Sequence, residues 1–146
     1  MSRLKRREVS QLWMEIAPMM MRRMRAQVMK ASVGTLTMPQ YRILANINRG
    51  LNSIGAIAEH HGVAQPSMSK MISLMEKKGL IIRKTLVSDK RQSVLSMTAK
   101  GKKIFLDVRG HAQEKLADKL SDLTLQDLAQ LEKSFDGIKQ VFKNWD

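Results

Sequence analysis

The stretch "SIGAIAEHHGVAQPSMSKMISLMEKKG", residues 53–79, decides the fold. Ser53 can accept a hydrogen bond from the open amides of a helix start, which predicts a short helix over 54–61 that Gly62 ends. A few residues later Pro66 sits where a first helical turn tolerates it. A second helix then runs to Lys78, with Gly79 as its stop. Ala58 is small where two crossing helices must touch, and Ile57, Val63, Met68, Met71, Ile72 and Met75 supply a shared buried face. Two short helices joined by a tight glycine turn are a helix-turn-helix pattern. On the second helix, Gln65, Pro66, Ser67, Ser69, Lys70 and Ser73 fall off the buried stripe. Small hydroxyls permit close approach to a major groove, Gln pairs with adenine, Lys pairs with guanine or phosphate, and amides at a helix start favour phosphate. An ordinary polar helix face is the simpler account of the same residues, so the neighbouring sequence has to decide.

Immediately downstream, "LIIRKT" (80–85) is rich in β-branched residues, a charged turn follows, and in 93–97 Val94 alternates with polar neighbours. This predicts a β-hairpin whose tip carries Lys84, Lys90 and Arg91 around one acid, Asp89. A narrow minor groove concentrates negative potential, so a slender hairpin presenting arginine can enter it while the preceding helix occupies the adjacent major groove. Thr98 is placed to cap the next helix, and Gly101 in that helix's first turn permits close backbone packing.

Charge points the same way. The chain has 26 Lys and Arg against 13 Asp and Glu, a formal net charge of +13. Residues 1–103 hold 20 basic and 5 acidic side chains, a net +15, and residues 104–146 hold 6 and 8, a net −2. A merely solubilising surface mixes both signs along the chain; segregation favours a polyanion-binding face, with double-stranded DNA preferred over a membrane surface.

Other chemistries fall away. Without cysteine there is no disulfide, thiolate metal site or cysteine nucleophile. The three histidines form no metal pair and no base with an orienting partner, since His60 and His61 point to different sides of a helix end. We therefore expect no enzyme, no metal and no cofactor. No apolar run reaches a membrane span, and the Arg-rich start lacks a signal-peptide core, so a cytoplasmic location is expected.

Flanking helices complete the pattern. Val9, Leu12, Trp13, Ile16, Met20, Met24 and Val28 mark one face of a first helix that Pro18 should kink or restart. A second helix should start near Thr37, with Pro39 in its first turn, run to about Asn48, and bury Tyr41, Leu44, Ala45 and Ile47. Composition changes after Lys103, and a helix over about 99–120 should bury Ile104, Phe105, Val108, Ala112, Leu116 and Leu120. A last helix starts at Thr124, with Asp127 as its capping-box acid. Along it Leu128, Leu131, Phe135, Ile138, Phe142 and Trp145 repeat at alternating steps of three and four. This seam is too short to stand alone, so it must pack on its own domain or on a second copy. Together with Val9, Leu12 and Trp13 it forms the expected dimer interface.

"DKRQSVLSMTAKG" (89–101) resembles the D-x-R and L-T-x-x-G signature of MarR-family winged-helix regulators, and "MEKKGLIIR" (75–83) resembles the segment that precedes the wing in that family. The resemblance implies a mainly α winged helix-turn-helix, six helices with the hairpin wing between the fourth and fifth. It also implies Arg91 as the minor-groove arginine, Asp89 as its orienting partner and residues 65–70 as the start of the recognition helix. The expected organisation is an N-terminal dimerisation helix (1–36), a DNA-binding lobe (37–98) and C-terminal dimerisation helices (99–146). Family effectors bind where dimer helices meet the DNA-binding lobe. The methionine-rich first helix thus offers a candidate pocket for a small apolar or aromatic effector at Trp13, Met20 and Met24, with plain core or interface packing as the simpler account. The implied function is a homodimeric, sequence-specific transcriptional regulator, a repressor, on pseudo-palindromic operators. An architectural DNA-coating protein without an effector is the alternative.

Overall fold

The computed structural model describes residues 2–85 and 93–143. The chain forms two compact units, residues 1–113 and 114–146. Element order in the first is helix α1 (Ser2–Ala31), α2 (Met38–Asn48), α3 (Ile54–His61), α4 (Gln65–Lys77), strands β1 (Ile81–Thr85) and β2 (Ser93–Met97), and then α5 (Ala99–Ala117), within which the boundary falls. The second unit continues through a 3-10 turn, Asp118–Leu120, to α6 (Leu125–Lys143).

Local chemistry accounts for most element boundaries. At α2 the Thr37 hydroxyl accepts from the Gln40 amide and the Gln40 side chain accepts from the Thr37 amide, a reciprocal capping box with Pro39 beside it. Ser53 accepts from the Ala56 amide to start α3, and Gly62 closes it at φ +65°, a left-handed conformation that a Cβ would penalise. At α6, Thr124 and Asp127 form the expected box: the Thr124 amide and hydroxyl both donate to Asp127 Oδ2, and the Asp127 amide donates back to Thr124 Oγ1. These bonds hold the Asp127 carboxyl below its ordinary pKa.

The core of the first unit gathers Leu36, Ile43, Leu44, Ile57, Ala58, Met68, Ile72, Met75, Leu80, Ile81, Leu95, Phe105 and Val108, all buried. Side chains from α2, α3, α4, both strands and α5 thus share one interior. Tyr41 lies against Phe105 with ring centroids 5.3 Å apart. The hairpin is antiparallel, with Ile81 opposite Met97 and Lys84 opposite Val94. It is anchored inward at a third point: the Leu95 amide donates to the Asn52 carbonyl at 2.8 Å, and Ser53 bridges Val94.

The junction of hairpin and α5 explains the Thr-x-x-Gly spacing. Thr98 Oγ1 donates to the Gly79 carbonyl at 2.6 Å and accepts from the Gly101 amide at 2.9 Å, while the Thr98 amide donates to the Leu80 carbonyl at 3.1 Å. Lys100 Nζ adds a bond to the Lys78 carbonyl at 2.9 Å. A methyl group at Gly101 would overlap the Leu80 carbonyl oxygen and lie 2.8 Å from its carbon. Glycine is therefore required for backbone to approach backbone here.

Several sequence expectations need correction. Pro18 does not restart the first helix; α1 is continuous across it, since proline removes only one donor and neighbouring turns keep theirs. Val63 is 44% exposed, because the turn after Gly62 directs it outward and away from the helix pair. In β2 the buried residue is Leu95, with Val94 on the opposite side, as strand alternation requires. The fifth helix stops at Ala117, and Leu120, at the end of the following 3-10 turn, is exposed. No residue of α6 is buried: Leu128 and Leu131 are half-buried, while Phe135, Ile138 and Phe142 are exposed. Trp145 lies outside the described residues.

Candidate nucleic-acid interface

The α3 and α4 helices pack against one another. Buried Ile57 and Ala58 meet buried Met68, Ile72 and Met75, and the Val63 amide closes the turn onto the Ala58 carbonyl at 3.0 Å. Behind the pair, the side chain of buried Asn46 on α2 meets His61 Nε2 at 2.9 Å. Burial, then the nearby charges of Arg42 and His60, hold the His61 imidazole below its ordinary pKa. The neutral ring accepts from the Asn46 amide and fastens the end of α3 to α2.

With one stripe of α4 committed to the core, the opposite stripe faces outward. Gln65, Pro66, Ser67 and Lys70 are exposed, and Ser69 and Ser73 are half-buried. Pro66, Ser69, Lys70, Ser73, Leu74 and Lys77 line an open trough of about 550 Å³ along the helix, where the two serines leave room between longer neighbours. Helix α4 starts at Ala64 without a side-chain cap, whereas α2, α3 and α6 have one. Its positive dipole end is thus unopposed by a capping oxygen, and it carries no acid in its first turn. The trough contains two residues outside the set expected from sequence. Lys77 follows Lys70 by seven residues, two turns on the same face, a spacing from which it could be found. Leu74 resembles part of the apolar stripe, and only the structure places it outside.

The wing is positioned from the same core. Ile81 and Leu95 point inward, and Arg83 pairs with Glu76 at 3.2 Å, tying β1 to the last turns of α4. Lys84 is exposed on β1. Asp89, Lys90 and Arg91 lie outside the described residues.

Among the residues assigned to a dimer interface, Val9 and Leu12 are exposed, Trp13 is half-buried, and the α6 seam is placed as above. Within the second unit, Leu120, Leu128, Leu131, Phe135 and Ile138 line an open groove of about 480 Å³. Met20 and Met24, assigned to an effector pocket, are exposed. Among the described residues no cluster of His, Cys, Asp or Glu could hold a metal ion, and no helix is long and apolar enough to cross a membrane.

A helix pair presenting a basic, serine-lined helix, followed at once by a two-stranded hairpin docked on the same core, defines a winged helix-turn-helix protein. Residues 36–93 match the family model described as "MarR family". The fold agrees over nearly the whole chain. Transcriptional regulator Tm0710 from Thermotoga maritima superposes with a TM-score of 0.75 at 20% identity, over 92% of this chain and 96% of its own. A MarR family protein from Bacillus stearothermophilus gives 0.73 at 21% identity, over 98% and 99%. A mutant of MepR from S. aureus, solved bound to an oligodeoxyribonucleotide, gives 0.63 at 17% identity, over 89% and 97%.

Proposed function

We propose that this chain is a homodimeric, sequence-specific repressor that seats α4 in the major groove and its hairpin in the adjacent minor groove of a pseudo-palindromic operator. The observation that carries the reading is the outward face of α4: Gln65, Ser67 and Lys70 project to solvent from a helix whose other stripe is locked in the core. Gln65 reads a base edge, Lys70 meets guanine or a phosphate, Ser67, Ser69 and Ser73 allow close approach, and Pro66 sets the first turn. Lys84, Lys90 and Arg91 meet the minor groove and its phosphates, with Asp89 orienting Arg91.

Residues 37–98 serve as the DNA-binding lobe, and residues 1–36 and 99–146 carry the dimer contacts. The apolar stripes support this division: an aromatic-rich helix with no buried residue requires cover, and a second copy supplies it. Two-fold symmetry then places two reading helices about one helical turn, ~34 Å, apart. Repression follows from obstruction of a promoter. A small apolar or aromatic effector, held near Trp13, Met20 and Met24, would release the DNA; a panel of aromatic acids that changes neither melting temperature nor DNA affinity would count against that element.

Selection of bound duplexes from a random pool, followed by competition against random DNA, tests the whole. A specificity ratio of ~10³ or more supports a regulator. A ratio near one marks an architectural coating protein instead.

A further inference from the structure

Leu74 is the one large apolar side chain in the trough on the reading helix, and it is 53% exposed. The other wall residues are Pro66, two serines and two lysines. The core does not explain it, since Met68, Ile72 and Met75 already fill the buried stripe of α4. We infer that Leu74 is a specificity-determining residue, which reads the 5-methyl group of a thymine in the major groove. This inference rests on α4 being the reading helix.

The chemistry of the groove selects the base. All four bases present hydrogen-bonding atoms on their major-groove edges; thymine alone adds a methyl group. Leucine can neither donate nor accept, so pressing it against any other base buries polar atoms without partners and disfavours that sequence. Lys70 and Lys77 lie on the same trough, where ammonium groups match the phosphates bordering the groove and bring the helix close enough for the methyl contact. Ser73, next to Leu74, has a short side chain that does not hold the helix away. Leu74 follows Lys70 by four residues, about one turn or 6 Å along the axis. The thymine therefore lies within about two base pairs of the base or phosphate that Lys70 meets.

The test uses the full chain and its best selected duplex. Each thymine is replaced in turn by deoxyuridine, which removes the methyl group and leaves every hydrogen-bonding atom in place. For the wild-type protein, one thymine per half-site should show an affinity loss of about fourfold on substitution, the value of one buried methyl-sized group. In Leu74→Ala that position should become indifferent to the methyl. Leu74→Gln, with good helix propensity and an exposed site, serves as a second variant, and circular dichroism checks the fold of both. No thymine in the selected site, no deoxyuridine effect in the wild type, or an effect that persists in both variants would overturn the inference and leave the repressor reading standing. A wild-type protein that binds no duplex would overturn both.

Discussion

Replacing Gly101 by alanine gives an outcome whose sign, not only its size, depends on the structure. By intrinsic propensity, Gly→Ala inside a helix stabilises by about 1 kcal/mol. At Gly101 the new methyl would overlap the Leu80 carbonyl oxygen and lie 2.8 Å and 3.1 Å from that residue's carbonyl carbon and Cα. These are backbone atoms, so no side chain can swing aside, and the start of α5 must move away from the end of α4. Overpacking of this kind costs about 1–3 kcal/mol. The movement also stretches the bonds from Thr98 to Gly79 and Leu80 and from Lys100 to Lys78, each contributing about 1 kcal/mol. The net expectation is a destabilisation of about 3 kcal/mol, which for a chain of this size lowers the melting temperature by roughly 10 °C. At Gly110, also on α5, an added Cβ would meet nothing within 4 Å, so Gly110→Ala is the control and should be neutral or stabilising by up to about 1 kcal/mol. Thermal and urea unfolding by circular dichroism, at one fixed protein concentration, reads both variants. A Gly101→Ala protein as stable as the wild type would refute the proposed backbone contact and with it the account of the Thr-x-x-Gly spacing.

Other expectations follow from the same contacts. Thr37→Ala removes half of the capping box of α2 and should cost about 1 kcal/mol in urea unfolding. The His61 imidazole titrates below its ordinary value because of its partial burial first and the neighbouring charges of Arg42 and His60 second. A histidine whose folded-state pKa is depressed contributes fully above its unfolded value of about 6.5, and the contribution is lost as pH falls through the folded value. Unfolding midpoints should thus decline below about pH 6.5 in the wild type and less so in His61→Gln, with the titration followed by NMR of the ring protons. Lys70→Ala should weaken duplex binding and flatten the plot of log affinity against log salt by about one unit if Lys70 meets a phosphate. Arg91→Ala should weaken binding with its helical signal unchanged, and loss of that signal would make Arg91 a structural residue. If the proposed dimer forms through α6, Phe135→Asp should shift sedimentation from dimer toward monomer, and unaltered sedimentation would remove α6 from the interface.

Most boundaries are legible in the sequence because they depend on local chemistry. Thr37, Ser53 and Thr124 each act through hydrogen bonds three residues long, and Gly62 and Gly79 adopt the positive φ that ends their helices. Tertiary choices are harder. Val63 has the composition of a core residue, but a tight turn fixes its direction. Leu74 continues an apolar spacing on α4, and only the relative placement of α3 and α4 decides which of two adjacent stripes the core takes. The bridge between Ser53 and Val94 leaves no trace in the sequence, since a single pairing between a helix cap and a strand has no period. Gln40 and Asn46 are buried and polar: Gln40 spends its side chain on the cap, and Asn46 meets His61 across fifteen residues, a partnership that no local pattern announces.

The central claim is that α4 enters the wide groove while the hairpin enters the narrow one, and chemical footprinting reads the two grooves separately. Dimethyl sulfate methylates guanine N7 in the major groove and adenine N3 in the minor groove. On the selected operator the account predicts two patches of N7 protection about one helical turn apart, with N3 protection adjacent to each. Protection confined to one groove, or spread evenly along the duplex, would contradict it.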